Sequence, residues 1–250
     1  MLRILGFDLG GSGAKTSILT FLPSLQSEKL QTIPTNQLAT PLAVKEMLEM
    51  LSKESHLNAI GVAFPGVVKA GMTLTAAHVD PSWVHFPAET YFSKALGKSV
   101  VFANDADAAL VGEYYFGAAQ NLTGPVLLLT LGTGIGSALM IQGKLWPNSE
   151  LGHLMVKNGI EAEEWAAAKV RREERLSWKT WAGRLEDVLS SMVALLHPQV
   201  IVLGGAISEE FARFKGFLHQ KTPIIPAKLG NRAGLIGAGW LAYSSEVSRN

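Results

Sequence analysis

Residues 129–140 read LTLGTGIGSALM: an apolar run, three glycines at alternate positions, and a second apolar run. Glycine loses more conformational freedom on folding than any other residue. Gly132, Gly134 and Gly136 therefore point to a backbone that something must approach closely. Pro125–Leu131 and Ser137–Ile141 are β-favouring on either side, which predicts a hairpin with the glycines at its turn. A second stretch has the same form. Shifting the chain by 122 positions lays Ile4–Leu19 over Val126–Ile141, with Asp8 over Thr130, Leu9 over Leu131 and Gly10 over Gly132. A period of half the chain suggests two similar α/β halves rather than a solenoid, the alternative being chance similarity of two glycine hairpins. Two such halves face to face would leave a cleft between two glycine loops.

The remaining pattern is also α/β. Ile4–Leu9 and Thr16–Thr20 are expected strands of the first hairpin, and Pro41–Lys53 has apolar residues at helical spacing. Ala59–Phe64 is a strand ending at Pro65-Gly66, and Ser99–Ala103 a strand running into Asn104-Asp105-Ala106-Asp107 and a helix to about Phe116. From Glu161 to about His197 the pattern is helical with a break near Ser177. Gln199–Leu203 is a strand ending in Gly204-Gly205, Glu209–His219 a helix, and Ala233–Ser244 a closing helix of small residues. The expected division is an N-terminal lobe over 1–107, a C-terminal lobe over 108–232, and a final segment 233–250 packing back on the first lobe.

Composition bounds the function. A chain of 250 residues supports a sizeable core. Its net charge of +1 argues against a broad nucleic-acid or membrane-surface field. There is no cysteine, which excludes disulfides, thiolate metal sites and cysteine nucleophiles. The start, MLRILGFDLGG, turns polar too soon for a signal peptide, and no apolar run is long enough to span a membrane. A cytoplasmic protein is expected, without nucleic-acid or membrane partners; the late aromatic and small-residue helices permit a homodimer.

Asp8–Thr16, DLGGSGAKT, fails the Walker A spacing because Ala14 separates Gly13 from Lys15 and a strand follows. LGTGIGS misses the dinucleotide fingerprint because its glycines alternate. Each loop reads either as a tight turn needing positive φ or as a nest of backbone N–H groups for phosphate oxygens. Two such loops favour phosphate, with Lys15 as a point charge and Asp8 as a partner for Mg²⁺ through water. VIVLGGAISEEF offers either a helix N-terminus for an anion or ordinary loop chemistry with Ser208 as N-cap. In FANDADAAL, one aspartate caps the following helix, or a carboxylate at the strand end takes a proton from a substrate hydroxyl that Asn104 helps fix. In NSELGHL, Glu150 and His153 share one face of a helical turn, as a polyol-binding pair or a surface pair. KVRREER reads as a solvated face with local ion pairs rather than an anion track. Trp83, Trp165, Trp178 and Trp181 read as packing residues.

Taken in order, DLGGSGAKT, GVAFPG, NDAD, LTLGTGIGS, ELGH and VLGGAIS resemble the ROK sugar kinases across nearly the whole chain. LTLGTGIGSAL, PNSELGHL, LSWKTWAGRL and TPIIPAKLGNRAGLIGAG are most similar to the polyphosphate-dependent glucokinases of that family. The resemblance implies a two-lobed actin/hexokinase-like ATPase fold, ribonuclease H-like, with a cleft between lobes. It implies transfer of a phosphoryl group from inorganic polyphosphate, ATP or both to the 6-hydroxyl of glucose, with Mg²⁺. Asp105 would be the general base. Asn104, Glu150, His153 and Glu163 would bind sugar, with the register among Glu161, Glu163 and Glu164 open. Gly10, Gly11, Ser12, Gly13 and Lys15 would form the first phosphate loop and Gly132, Thr133 and Gly134 the second, with Gly204 and Gly205 on the nucleotide side. Two departures stand out. The cysteine zinc motif of many members is missing, so no structural zinc is expected, and His78 stands where an asparagine is expected before DPSW. An ATP-only kinase of another hexose is the nearest alternative. A sugar-responsive transcription regulator would need a DNA-binding segment ahead of the strand at Ile4, and a non-catalytic sugar sensor would not need the base and both loops.

Overall fold

Burial along Ala59–Phe64 is complete at every position, as expected of a parallel strand covered on both faces. The computed structural model that shows this describes residues 1–11, 13–34, 39–53 and 56–249, with Asn158 known by its backbone only. The chain divides into two units, Met1–Gly112 with Arg232–Asn250, and Glu113–Asn231.

In the first unit, β1 (Ile4–Leu9) and β2 (Gly13–Thr20) form the predicted hairpin, with Leu9 opposite Ala14. β3 (Gln26–Ser27) and β4 (Gln31–Pro34) both pair with β2. After α1 (Pro41–Lys53), β5 (Ala59–Phe64) runs parallel to β1. A two-stranded ribbon of β6 (Val68–Lys69) and β7 (Met72–Thr73) and then α2 (Ala88–Leu96) lead to β8 (Ser99–Asn104), parallel to β5. α3 (Asp105–Phe116) follows at once. One face of the sheet, with Leu5, Phe7, Ile60, Val62 and Phe64, packs on Val44 and Leu48 of α1 and Phe92 of α2. Trp83 lies in this core, stacked on Phe92, and its Nε1 donates to the Ala39 carbonyl at 2.7 Å.

In the second unit the sheet order is β11-β10-β9-β12-β13, from β9 (Val126–Leu131), β10 (Ile135–Ile141), β11 (Lys144–Trp146), β12 (Val200–Gly204) and β13 (Ile224–Pro226). β9 pairs antiparallel with β10 and parallel with β12, which is parallel to β13. The set β10-β9-β12-β13 thus repeats β2-β1-β5-β8 in order and direction. Chance similarity of two hairpins does not extend that far. The turns differ, however: Leu131 faces Ile135 where Leu9 faces Ala14, so the second is one residue shorter and the offset drops from 122 to 121 beyond it.

The helical stretch of this unit is α4 (Ala162–Ala166), α5 (Ala168–Glu173) and α6 (Trp178–Leu196). The expected break is present, with the Ser177 hydroxyl accepting from Thr180 N at 3.1 Å. A second break falls at extended Ala167. The expected helix over Glu209–His219 is corrected: α7 spans only Phe211–Phe214, between 3₁₀ turns at Ala206–Glu210 and Lys215–Phe217. Gly216 weakens any continuation, while Phe214 is held by Trp178 and Trp181. Glu113, fully buried, accepts backbone N–H bonds from Ala118 at 2.6 Å, Lys228 at 3.0 Å and Leu229 at 2.7 Å. It ties the 228–229 turn to the end of α3.

The closing helix α8 (Ala233–Val247) packs on the other face of the first unit's sheet. Gly6 and Gly61 sit side by side in β1 and β5. A Cβ at Gly6 would collide with the Leu235 carbonyl, and one at Gly61 with that of Ala238. Gly237 meets the Ala108 carbonyl of α3 in the same way. Small residues here let a helix backbone lie directly on sheet and helix backbones. Among the described residues no helix is long and apolar enough to cross a membrane.

Candidate functional site

The first unit carries one hairpin turn and the Asn104-Asp105 corner. Gly10 N donates to Gly13 O at 3.0 Å and Gly13 N to Gly10 O at 3.4 Å, closing the turn; Ser12 lies outside the described residues. Neither Gly10 nor Gly11 has the left-handed backbone that a tight-turn reading requires. Gly11 is needed for space instead: a Cβ there would stand 2.8 Å from His78 Cβ and 2.9 Å from its carbonyl oxygen. His78 has φ +60°, a region where asparagine and histidine are enriched, so the expected asparagine and the observed histidine suit the same backbone.

Asp8 and Lys15 face each other across the β1–β2 register. The Asp8 carboxylate lies beside the first turn of α8, where a Cβ at Gly234 would be 3.2 Å from its Cγ. Burial pushes the Asp8 carboxyl up to about 6, against the pull of Lys15.

At the end of β8 the cap is Asn104, not an aspartate. Its Oδ1 accepts from Ala106 N at 2.9 Å and Asp107 N at 3.1 Å, and its Nδ2 donates to Gly66 O at 3.2 Å. Asp105, half-buried on the first turn of α3, accepts from Ala106 N at 2.8 Å. Asp107 is buried.

In the second unit Gly132 N donates to Gly134 O at 3.0 Å, and Gly132 O accepts from Lys169 N at 2.9 Å, which pins the turn to α5. A Cβ at Gly134 would collide with Glu163 Oε2. Gly132 is different: among the described residues nothing lies within 4 Å of its Cβ position, and its backbone is not left-handed. Thr133 at the tip is exposed. Gly205, at φ +79°, brings its Cα against the Leu131 carbonyl, 2.6 Å from a would-be Cβ, so the Gly204-Gly205 pair abuts the strand entering this turn. Ser208 does not cap a helix; its hydroxyl donates to Gly205 O at 2.8 Å.

Glu150 and His153 bracket a 3₁₀ turn, Leu151–His153, with Glu150 left-handed at φ +43°. His153 Nε2 is 3.9 Å from Glu150 Oε2, its Nδ1 is 2.8 Å from Glu161 Oε2, and Glu163 Oε1 is 4.0 Å from Nδ1. Hydrogen bonding to Glu161 leads in raising the His153 pKa, helped by the charges of Glu163 and Glu150 and opposed by partial burial. Glu163 also reaches Ile135 N at 3.4 Å. Of the three glutamates of that stretch, Glu161 bonds to His153, Glu163 approaches it at 4.0 Å, and Glu164 is exposed. Sequence alone presents Glu161 only as a rival to Glu163. Eight residues separate it from His153, and a turn of the backbone rather than a helical period brings the two together. In KVRREER, Lys169 approaches Glu173 at 3.8 Å and the Arg171 guanidinium lies 3.5 Å from the Trp178 ring centroid. Glu174 is taken by Arg184 at 2.6 Å.

Two units with one strand order, each opening on a glycine hairpin, define the duplicated α/β architecture of the actin/hexokinase-like sugar kinases. Residues 4–170 match the ROK family model, and the chain belongs to the ROK family. It is 40% identical to polyphosphate glucokinase of Mycobacterium leprae (strain TN), over 98% of this chain and 76% of that protein. Against polyphosphate glucokinase of Mycobacterium tuberculosis (strain CDC 1551 / Oshkosh) it is 41% identical, over 93% and 88%. The crystal structure of inorganic polyphosphate/ATP-glucomannokinase from Arthrobacter sp. strain KM superposes with a TM-score of 0.89 at 36% identity, covering 100% of both chains.

Proposed function

We propose that this chain phosphorylates glucose at its 6-hydroxyl, with inorganic polyphosphate or ATP as donor. The observation that carries this reading is the likeness to polyphosphate glucokinases over 98% of the chain. That span takes in both glycine hairpins, the Asn104-Asp105 corner and the Glu150–His153 turn. Phosphoryl transfer rests on positioning and charge stabilisation rather than on a covalent nucleophile, which suits this residue set.

Asp105 takes the proton of the attacking hydroxyl. Asn104, held on both sides by backbone, sets the position of that corner. Glu150 and Glu163 accept from sugar hydroxyls, and His153 contacts one through its ring nitrogen. The N–H groups of Gly10, Gly13 and Gly132 are spent inside the hairpins, so the turn tips around Gly11 and Thr133 meet phosphate oxygens, with Lys15 as a point charge. The space above Gly132, which no atom of the described residues fills, suits a donor phosphate, and Gly204-Gly205 abuts the strand entering that turn. Mg²⁺ fits Asp8 chemically: a carboxylate pushed up by burial gains from a divalent neighbour, and Mg²⁺ commonly takes one or two carboxylates and completes its shell with water and phosphate. When bound it would neutralise charge on the transferring group.

The test is purified protein with glucose and Mg²⁺, polyphosphate in one reaction and ATP in another, with glucose 6-phosphate read by a coupled dehydrogenase. Product from polyphosphate is expected. Product from ATP alone would move the chain to the ATP-only kinases, and no product from either would reject the reading. Asp105→Asn keeps the oxygen that accepts from Ala106 N, so its thermal unfolding should match the wild type while kcat falls roughly 10²–10⁴-fold. A variant retaining most of its kcat would remove Asp105 from the role of base.

A further inference from the structure

We infer that Glu161 is a positioning residue: it holds His153 with Nδ1 protonated, so that Nε2 is presented as the acceptor for a sugar hydroxyl. The inference rests on the reading of His153 as a sugar contact.

Its basis is geometric. A carboxylate has only acceptor positions, so the 2.8 Å approach of Glu161 Oε2 to Nδ1 places the proton on Nδ1. In the neutral ring Nε2 is then a lone-pair acceptor. Glu150 Oε2, 3.9 Å from Nε2, is too far for a direct bond, and a hydroxyl lying beside the line that joins them, about 2.8 Å from each, can donate to either group.

Glu161 is delivered to this place by a short backbone hairpin rather than by helix periodicity. Met155 and Glu161 form an antiparallel bridge. Ala162 N donates to Leu154 O and Val156 N to Ile160 O, both at 2.9 Å, around a 3₁₀ turn at Lys157–Gly159. Glu161 itself is extended, immediately before α4. The carboxylate is therefore fixed at both flanks. Glu163 cannot substitute: it stands 4.0 Å from Nδ1 and is directed to the Gly134–Ile135 turn. The three carboxylates near the imidazole are thus divided in what they do, Glu161 acting on Nδ1, Glu150 standing beside Nε2 and Glu163 bracing the glycine turn.

The test is nitrogen-detected NMR of imidazole-labelled protein without ligand, followed by kinetics. The wild type should show His153 as the Nδ1–H tautomer when neutral. Glu161→Ala should return it to the tautomer mixture of free imidazole and lower its titration midpoint, and should raise the glucose KM about tenfold, the value of one oriented hydrogen bond. The donor KM should stay constant, and Glu161→Gln, whose amide oxygen can still accept from Nδ1, should recover part of the loss. An Nε2–H tautomer in the wild type, an unchanged tautomer in Glu161→Ala, or a stoichiometric bound metal ion in the purified protein would overturn the inference. Glucose added to the wild type should perturb the Nε2 resonance. If it does not while the Nδ1–H tautomer is present, the sugar reading of His153 fails and the hold of Glu161 on the ring stands.

Discussion

A methyl group at Gly132 would meet no atom of the described residues, and its backbone lies outside the region reserved for glycine. Gly132→Ala should therefore leave stability unchanged or raise it by up to about 1 kcal/mol, through a less flexible unfolded chain. The same methyl would stand where a donor phosphate is proposed, so the donor KM should rise at least tenfold. Equal kinetics in the two proteins would separate Gly132 from the donor. At Asp8 the prediction concerns pH. Its folded pKa of about 6 lies above the ordinary aspartate value of 3.8, so the folded state holds that proton more tightly than the unfolded one. Stability should then fall as pH rises from about 4 to 6, by an amount on the order of 3 kcal/mol. Asp8→Asn removes this slope. Urea midpoints should show the variant more stable than wild type at pH 7, with the gap closing by pH 4; a gap independent of pH would contradict the burial argument. Asp8 is legible in the sequence because it stands in a motif. Glu113 is not, since it sits among apolar residues of α3 and its backbone donors at 228–229 are more than a hundred positions away.

At the scale of elements, the crossing of α8 over β1 and β5 makes the sharpest demand. Gly61→Ala would force a methyl into the Ala238 carbonyl, and neither a β5 buried at every position nor a helix carried on glycines can yield cheaply. A loss of about 3 kcal/mol or more is expected in chemical denaturation. Gly183→Ala is the control, since among the described residues a Cβ there meets nothing within 4 Å. A variant of Gly61 as stable as that control would show that the helix shifts freely. Pro41–Lys53 and Ala59–Phe64 are legible to the residue because each is bounded by strong signals and carries one clear period. Glu209–His219 misleads because its aromatic spacing fits a helix, yet Phe211 and Phe214 are spent on packing and Gly216 breaks the run. Helical spacing is enough to pair His153 with Glu150. It leaves Glu161 undecided, because a turn of the backbone and not a period brings that residue to the ring.

Over the whole molecule the duplication is visible in the glycine hairpins, though only the strand order shows how far it extends. The copies have diverged where chemistry is proposed. Asp8 and Lys15 of the first unit correspond to Thr130 and Gly136 of the second, so one hairpin keeps a charge pair and the other has been stripped to a hydroxyl and a glycine. An ungapped sequence overlay places Asp8 over Thr130 but Lys15 over Ser137, because a gap of one in the turn is invisible without the registers. The return of α8 to the first unit has a consequence during synthesis. Residues 113–231 form a contiguous unit, whereas Met1–Gly112 needs Arg232–Asn250 to be complete. At ribosomal speeds of about 5–20 residues per second, the helix that covers Gly6 and Gly61 is made roughly 6–25 s after the sheet that receives it. The first half of the gene product is thus the last to finish folding, and a nascent chain waits with the glycine-lined face of its first sheet uncovered.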